Sequence, residues 1–257
     1  MSRGGFSSIV RARMRLFLLA ITALNFVLSV TCQSAEPAVA APASVAINPN
    51  REYVIIAGGV SLWAWEKFKA APHDNWWMNF VRASRIRIEQ IQAQIPSAQI
   101  TWLVYRPAYV SRGRQDSKDL LSLISSVRDA YHVKLVYFDR AQQLLDYLNS
   151  GRPRATVKIA DLEYFGHSNK ACWMFDYSND IDSASKVWLH EDELNKINRG
   201  IFTSDAYAKS WSCHTGESMS RKFKSATGVA MIGANGKTQY LTDELPVIST
   251  PGGNWTR

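Results

Sequence analysis

The stretch YVIIAGG, Tyr53–Gly59, decides how the rest of the chain is read. It is a short, continuous apolar run closed by two glycines, with no polar–apolar alternation. A strand covered on both faces looks like this, because crossover helices bury both sides of a parallel sheet. The chain keeps the same rhythm afterwards. Val81, Ser84, Ile88, Ile91 and Ile95 recur at helical spacing, from an N-cap expected at Asp74 to a stop at Pro96. ITWLVY, Ile100–Tyr105, reads as a second strand. A helix opened by Asp116 or Ser117 would set Leu120, Ile124, Val127 and Tyr131 on one face. HVKLVYF, His132–Phe138, is a third strand, and Asp139 starts a helix carrying Leu144, Leu145 and Leu148 that stops at Gly151.

The second half is more broken. An apolar run from Ile159 ends at Gly166-His167, and Cys172 to Asp182 is aromatic and acidic without a clear period. LHEDELNKI, Leu189–Ile197, reads as a short helix and AYAKSWSC, Ala206–Cys213, as a strand. Glu217 to Ala226 has helical character with Gly228 at its C-terminus, VAMIG is a last core strand, and Asn235-Gly236 is a turn signal. Strands alternating with helices of this length predict an α/β fold on a mostly parallel sheet, with right-handed crossovers. In such sheets the loops leaving the strand C-termini carry the ligand site.

Residues 1–35 are set apart from the fold. Arg3, Arg11, Arg13 and Arg15 precede LFLLAITALNFVLSV, Leu16–Val30, and no acid occurs before Glu36. A basic start, an apolar stretch and small residues after it are expected of a secretory signal peptide. The run is short for a membrane span, which needs about 20 apolar residues. Export to the periplasm or beyond is therefore the expectation. Membrane attachment would come only through this leader or a lipid anchor at Cys32. Residues 36–50, rich in Ala and Pro, read as a linker, and the α/β domain is expected over 51–257.

The formal charge is +8, but four of its arginines lie in the leader, which leaves a mature chain near about +4. So small an excess argues against a nucleic-acid partner. Loss of the leader also removes Cys32 and leaves Cys172 and Cys213. In an oxidising compartment these two are candidates for a disulfide.

Two predicted strand ends carry reactive groups. YFGHSN delivers His167, and SWSCHTGES delivers Cys213 ahead of a helical segment. A helix N-terminus favours a thiolate, and a nearby imidazole can exchange a proton with it or protonate a leaving amine. Main-chain N–H groups near Ser168 and Cys213 are candidates for holding an oxyanion. A zinc site from His167, Cys172, Cys213 and His214 would lack the usual ligand spacing. Trp63, Trp65, Trp76 and Trp77 are read as packing the core and its rim, with a peptide or glycan groove as the alternative.

Gly166-His167 followed by Ser212-Cys213-His214-Thr215-Gly216 resembles the clan of cysteine peptidases that contains caspases, legumains, gingipains and clostripain. The segment GVAMIGANGKT is similar to the strand and loop that follow the cysteine in bacterial members. The resemblance spans roughly residues 53 to 240 and implies a caspase-like three-layer sandwich. It implies Cys213 as nucleophile, His167 as general acid and base, and a peptide or protein as substrate, without a cofactor. Ser168 stands where the family has a glycine whose N–H helps form the oxyanion hole, and a serine can offer the same N–H. Acids near the motifs, Asp176 and Glu217 foremost and Asp180 and Asp182 with them, would select a basic side chain before the cleaved bond. The alternative is a noncatalytic envelope protein of the same fold, with Cys172 bridged to Cys213.

Overall fold

Three parallel strands, β1 (Arg51–Ala57), β2 (Gln99–Tyr105) and β3 (Lys134–Phe138), open the computed structural model, joined through α1 (Asn79–Gln94), α2 (Arg106–Asp116) and α3 (Leu120–Tyr131). Helix α4 (Ala141–Ser150) leads to β4 (Lys158–Phe165), and a small antiparallel sheet follows from β5 (His167–Ser168), β6 (Cys172–Asp176) and β7 (Val187–His190). The chain continues through two 3-10 turns into β8 (Phe202–Ser210), α5 (Met219–Thr227), β9 (Met231–Asn235), the pair β10 (Thr238–Gln239) and β11 (Val247–Ile248), and β12 (Asn254–Thr256). The structure describes residues 48–63, 76–177 and 186–256. All lie in the larger of two units, Ser44–Arg257. The leader, Cys32, Trp65, Asp74, Asp180 and Asp182 fall outside the described residues.

The main sheet runs β12-β9-β8-β4-β1-β2-β3, parallel except for β12 against β9. Side chains alternate across it, so each face has its own core. Val54, Ile56, Leu162 and Tyr164 pack with α4, α5 and the small sheet, through Leu144, Phe223 and Trp173. Ile55, Trp102, Val104 and Phe165 pack on the opposite face with α1 and α3, through Ile88, Ile91 and Ile124. This is the α/β fold on a mostly parallel sheet expected from the strand–helix rhythm, built as three layers.

Local expectations failed where the period was disguised. Helix α2 has no apolar stripe; its inner face holds Tyr109 and fully buried Arg112, which donates to Ser61 O at 2.8 Å and to Asp116 at 3.1 Å. Ser117, read as opening a helix, instead closes α2 in the left-handed region at φ 51°, and Asp119 caps α3 by accepting from Ser122 N at 3.0 Å. The Leu189–Ile197 segment begins as β7 and continues as a 3-10 turn over Glu191–Lys196. VAMIG is followed by one more strand in the sheet, β12.

One buried polar cluster stands behind the strand ends. Arg87 reaches from α1 to Asp161 (3.0 Å) and Glu163 on β4, and Trp211 Nε1 donates to the same Glu163. Burial and the neighbouring Glu163 charge push the Asp161 carboxyl well up. Lys209 Nζ sits 3.3 Å from the Trp211 ring centre and 4.2 Å from that of Trp255. Burial drives its ammonium down to about 8, with the Glu163 charge pulling the other way. Between about pH 8 and the ordinary lysine value of 10.5, the unfolded chain holds a proton here that the folded chain has released. Stability should therefore rise with pH across that window. Lys209→Met is expected to flatten the rise, read as urea midpoints at pH 7.5 and 10; an unchanged difference between those midpoints would count against it.

Candidate active site

Parallel neighbours β4 and β8 place Tyr164 opposite Ser210. Three residues further along each chain come His167 and Cys213. The two reactive groups thus leave adjacent strands at the same edge of the sheet, where α/β proteins bind ligands. A direct bond ties the two loops, Ser168 Oγ donating to Cys213 O.

The His167 loop is shaped by Tyr164. Its buried hydroxyl donates to His167 O at 2.8 Å and Met174 O at 3.2 Å. Burial raises this phenol well above its ordinary value, so it remains a donor. A side chain on Gly166 would put its Cβ 2.2 Å from that hydroxyl, which explains the glycine before the histidine. Gly166 N donates to Tyr240 Oη at 2.9 Å. The imidazole stacks on Tyr177, with centroids 4.5 Å apart and planes at 26°, and meets Phe80 at right angles at 5.1 Å.

The Cys213 loop differs from its expected form. Strand β8 ends at Ser210, and helix α5 begins six residues beyond the cysteine at Met219, after a run of turns. At the start of β10, Thr238 N–H donates to Cys213 Sγ at 3.3 Å. Thr238 Oγ1 and O lie 3.6 and 3.8 Å from the same atom. Sequence reasoning missed Thr238, which follows the Asn235-Gly236 turn signal at the end of the GVAMIGANGKT segment.

Glycines press this loop onto β9. Gly216 N donates to Ala234 O at 2.9 Å, and a Cβ on Gly216 would come 2.8 Å from Gly233 O. His214 adopts φ 62°, donates from N to Gly236 O at 2.7 Å, and pairs through Nδ1 with Glu217. Glu217 Oε1 also accepts from Gly236 N at 3.2 Å, so this carboxylate braces the turn. Asp176 Oδ2 accepts from the Tyr105 hydroxyl at 3.2 Å.

Cys172 and Cys213 are both free thiols; no bridge joins them. Cys172 lies opposite His190 in the β6–β7 ladder. Burial, then the charges of Glu191 and Glu193, push its thiol up. The thiolate is the reactive form, so Cys172 is expected to stay largely unmodified by iodoacetamide at pH 7. Peptide mass mapping reads this directly, and extensive loss of free Cys172 would overturn it. Trp63 and Trp76 are exposed, under the guanidinium groups of Arg112 and Arg82 at 5.2 and 4.7 Å. Among the described residues, no three His, Cys, Asp or Glu side chains are gathered to hold a metal ion, and no helix is long and apolar enough to cross a membrane.

The fold and site together define an α/β protein with a thiol and an imidazole on neighbouring strand ends. No protein-family model, curated protein or solved structure matches this chain.

Proposed function

We propose that the chain is an exported, caspase-like cysteine peptidase that hydrolyses peptide bonds with Cys213 and His167. The observation that carries this reading is the parallel β4–β8 pairing, Tyr164 opposite Ser210, which delivers both residues at equal distance beyond paired positions. The Ser168–Cys213 bond supports it by holding the two loops together.

In this mechanism the Cys213 thiolate attacks the carbonyl carbon of the scissile bond, and negative charge gathers on the carbonyl oxygen. Main-chain N–H groups of Ser168 and Cys213 would receive that charge. As the tetrahedral adduct collapses, the C–N bond breaks and the imidazolium of His167 gives its proton to the leaving amine. Water, deprotonated by the now neutral imidazole, then attacks the thioester, and Cys213 leaves as thiolate while His167 regains its proton. The mechanism uses no cofactor. The acidic side chains near the site, Asp176 and Glu217, favour a basic residue before the cleaved bond, although Glu217 is already tied to His214.

The test is a peptidyl acyloxymethyl ketone with Lys or Arg next to the reactive group, added to the full chain. Labelling of wild type and none of Cys213→Ala is expected. Equal labelling of both would overturn the assignment. Intact mass of the exported protein without reductant checks the bridged, noncatalytic alternative, which requires the loss of two hydrogens across Cys172 and Cys213.

A further inference from the structure

We infer that Tyr177 is a positioning residue, fixing the plane of the His167 imidazole for its exchange of a proton with Cys213. The inference deepens the peptidase reading and rests on it.

The main chain at His167 is held from two sides, by Tyr164 at its carbonyl and by Tyr240 at the preceding amide. Neither bond controls rotation of the ring. The torsion between an imidazole and its Cβ is broad, so the plane is set by what touches it. Two rings do. Phe80 is almost fully buried and belongs to the core beneath α1. Tyr177 is half-buried, belongs to neither core cluster, and lies nearly parallel to the imidazole.

The local fold aims Tyr177 at this place. In β6, Trp173 and Phe175 point into the core. The ladder with β7 shifts register between Met174 and Asp176, a bulge of the kind that redirects a side chain. Gly59 N donates to Phe175 O at 2.8 Å and pins the end of the strand to the loop after β1. A Cβ on Gly59 would lie 2.5 Å from that oxygen, so the close approach needs glycine. Tyr177 leaves the strand immediately beyond this clamp with its ring over the imidazole. Parallel aromatic faces attract, and a tyrosine face also favours the imidazolium the mechanism needs. A flat ring suffices for both, so phenylalanine should serve in place of tyrosine.

The experiment uses the full chain and needs no known substrate. Rates of Cys213 alkylation by iodoacetamide are measured from pH 5 to 9 for wild type, His167→Ala, Tyr177→Ala and Tyr177→Phe. The His167 ring resonances are followed by NMR in the same variants. Losing alignment of a reacting pair can lower rates by up to about 100-fold. Tyr177→Ala is expected to lose roughly 10-fold or more of the rate that His167→Ala removes. It should also displace the His167 resonances. Tyr177→Phe should recover both to near wild type. The inference fails if Tyr177→Ala matches wild type while His167→Ala does not, or if Tyr177→Phe falls as far as Tyr177→Ala. A rate untouched by His167→Ala defeats the Cys213–His167 pair itself, and this inference with it. The His167→Ala profile thus separates the two failures.

Discussion

On the proposed peptidase reading, Cys213→Ala is expected to abolish covalent labelling and to lower peptide turnover by about a million-fold, the scale seen when a catalytic nucleophile is lost. His167→Ala should fall nearly as far, because members of one catalytic unit are not additive: without its proton partner, the remaining thiol does little. The double variant should then be little worse than either single one. Both residues are half-buried at the sheet edge and neither belongs to a core cluster, so folding should be spared. Hydrolysis of a fluorogenic peptide reads the rate, and circular dichroism reads the fold. Two single losses that multiply in the double variant would mean that Cys213 and His167 act separately.

Gly233→Ala should have a large effect for a single methyl group added near the site. A Cβ there would stand 2.4 Å from Ser220 Oγ, 2.5 Å from Gly216 N and 2.7 Å from Thr215 C. Two of these neighbours are main chain and cannot rotate away. Relief requires the 213–218 turn to lift from β9, losing the Gly216–Ala234 bond. Overpacking of this kind costs about 1–3 kcal/mol. A shift of about 1 Å in a reacting group can cost 100-fold in rate, so Cys213 labelling should drop by about that factor. Adding Ser220→Ala removes the flexible neighbour and leaves the two main-chain contacts. It should therefore restore little. Full recovery in that double variant would show that the side chain alone was the obstacle. The urea midpoint and the labelling rate separate the two effects.

Much of the fold was legible because burial leaves a periodic trace. The runs in β1 and β2 are apolar since both faces are covered, β4 breaks its run with Asp161 and Glu163 buried against Arg87, and α1, α3 and α4 show one apolar face each. The illegible parts lack that trace. Helix α2 buries Arg112, whose guanidinium is satisfied by Ser61 and Asp116 rather than by apolar neighbours. The small sheet is made of strands too short for a period to register. Its middle strand still alternates, with Trp173 and Phe175 buried, but the half-buried Cys172, Met174 and Asp176 between them do not form a clearly polar face.

At the candidate site, sequence located the two reactive residues and tertiary structure located their surroundings. His167 and Cys213 could be singled out because each follows an apolar run and has a glycine close by, Gly166 beside His167 and Gly216 three residues after Cys213, signals that are local in the chain. Nothing local required β4 and β8 to be neighbours; that came from the order in which strands pack into a sheet. Nor could spacing show that Glu217 would brace His214, or that the sulfur would face Thr238 rather than a helix end. Tyr177 and Phe80 lie 10 and 87 residues from His167 in the chain, and only folding lays their rings against it. By itself the sequence determined the α/β class, the main strands and the candidate thiol and imidazole, since these depend on periodicity and on residue type. The tertiary structure decided which ends meet and what orients them, because contacts between distant segments are selected by packing and not by spacing along the chain.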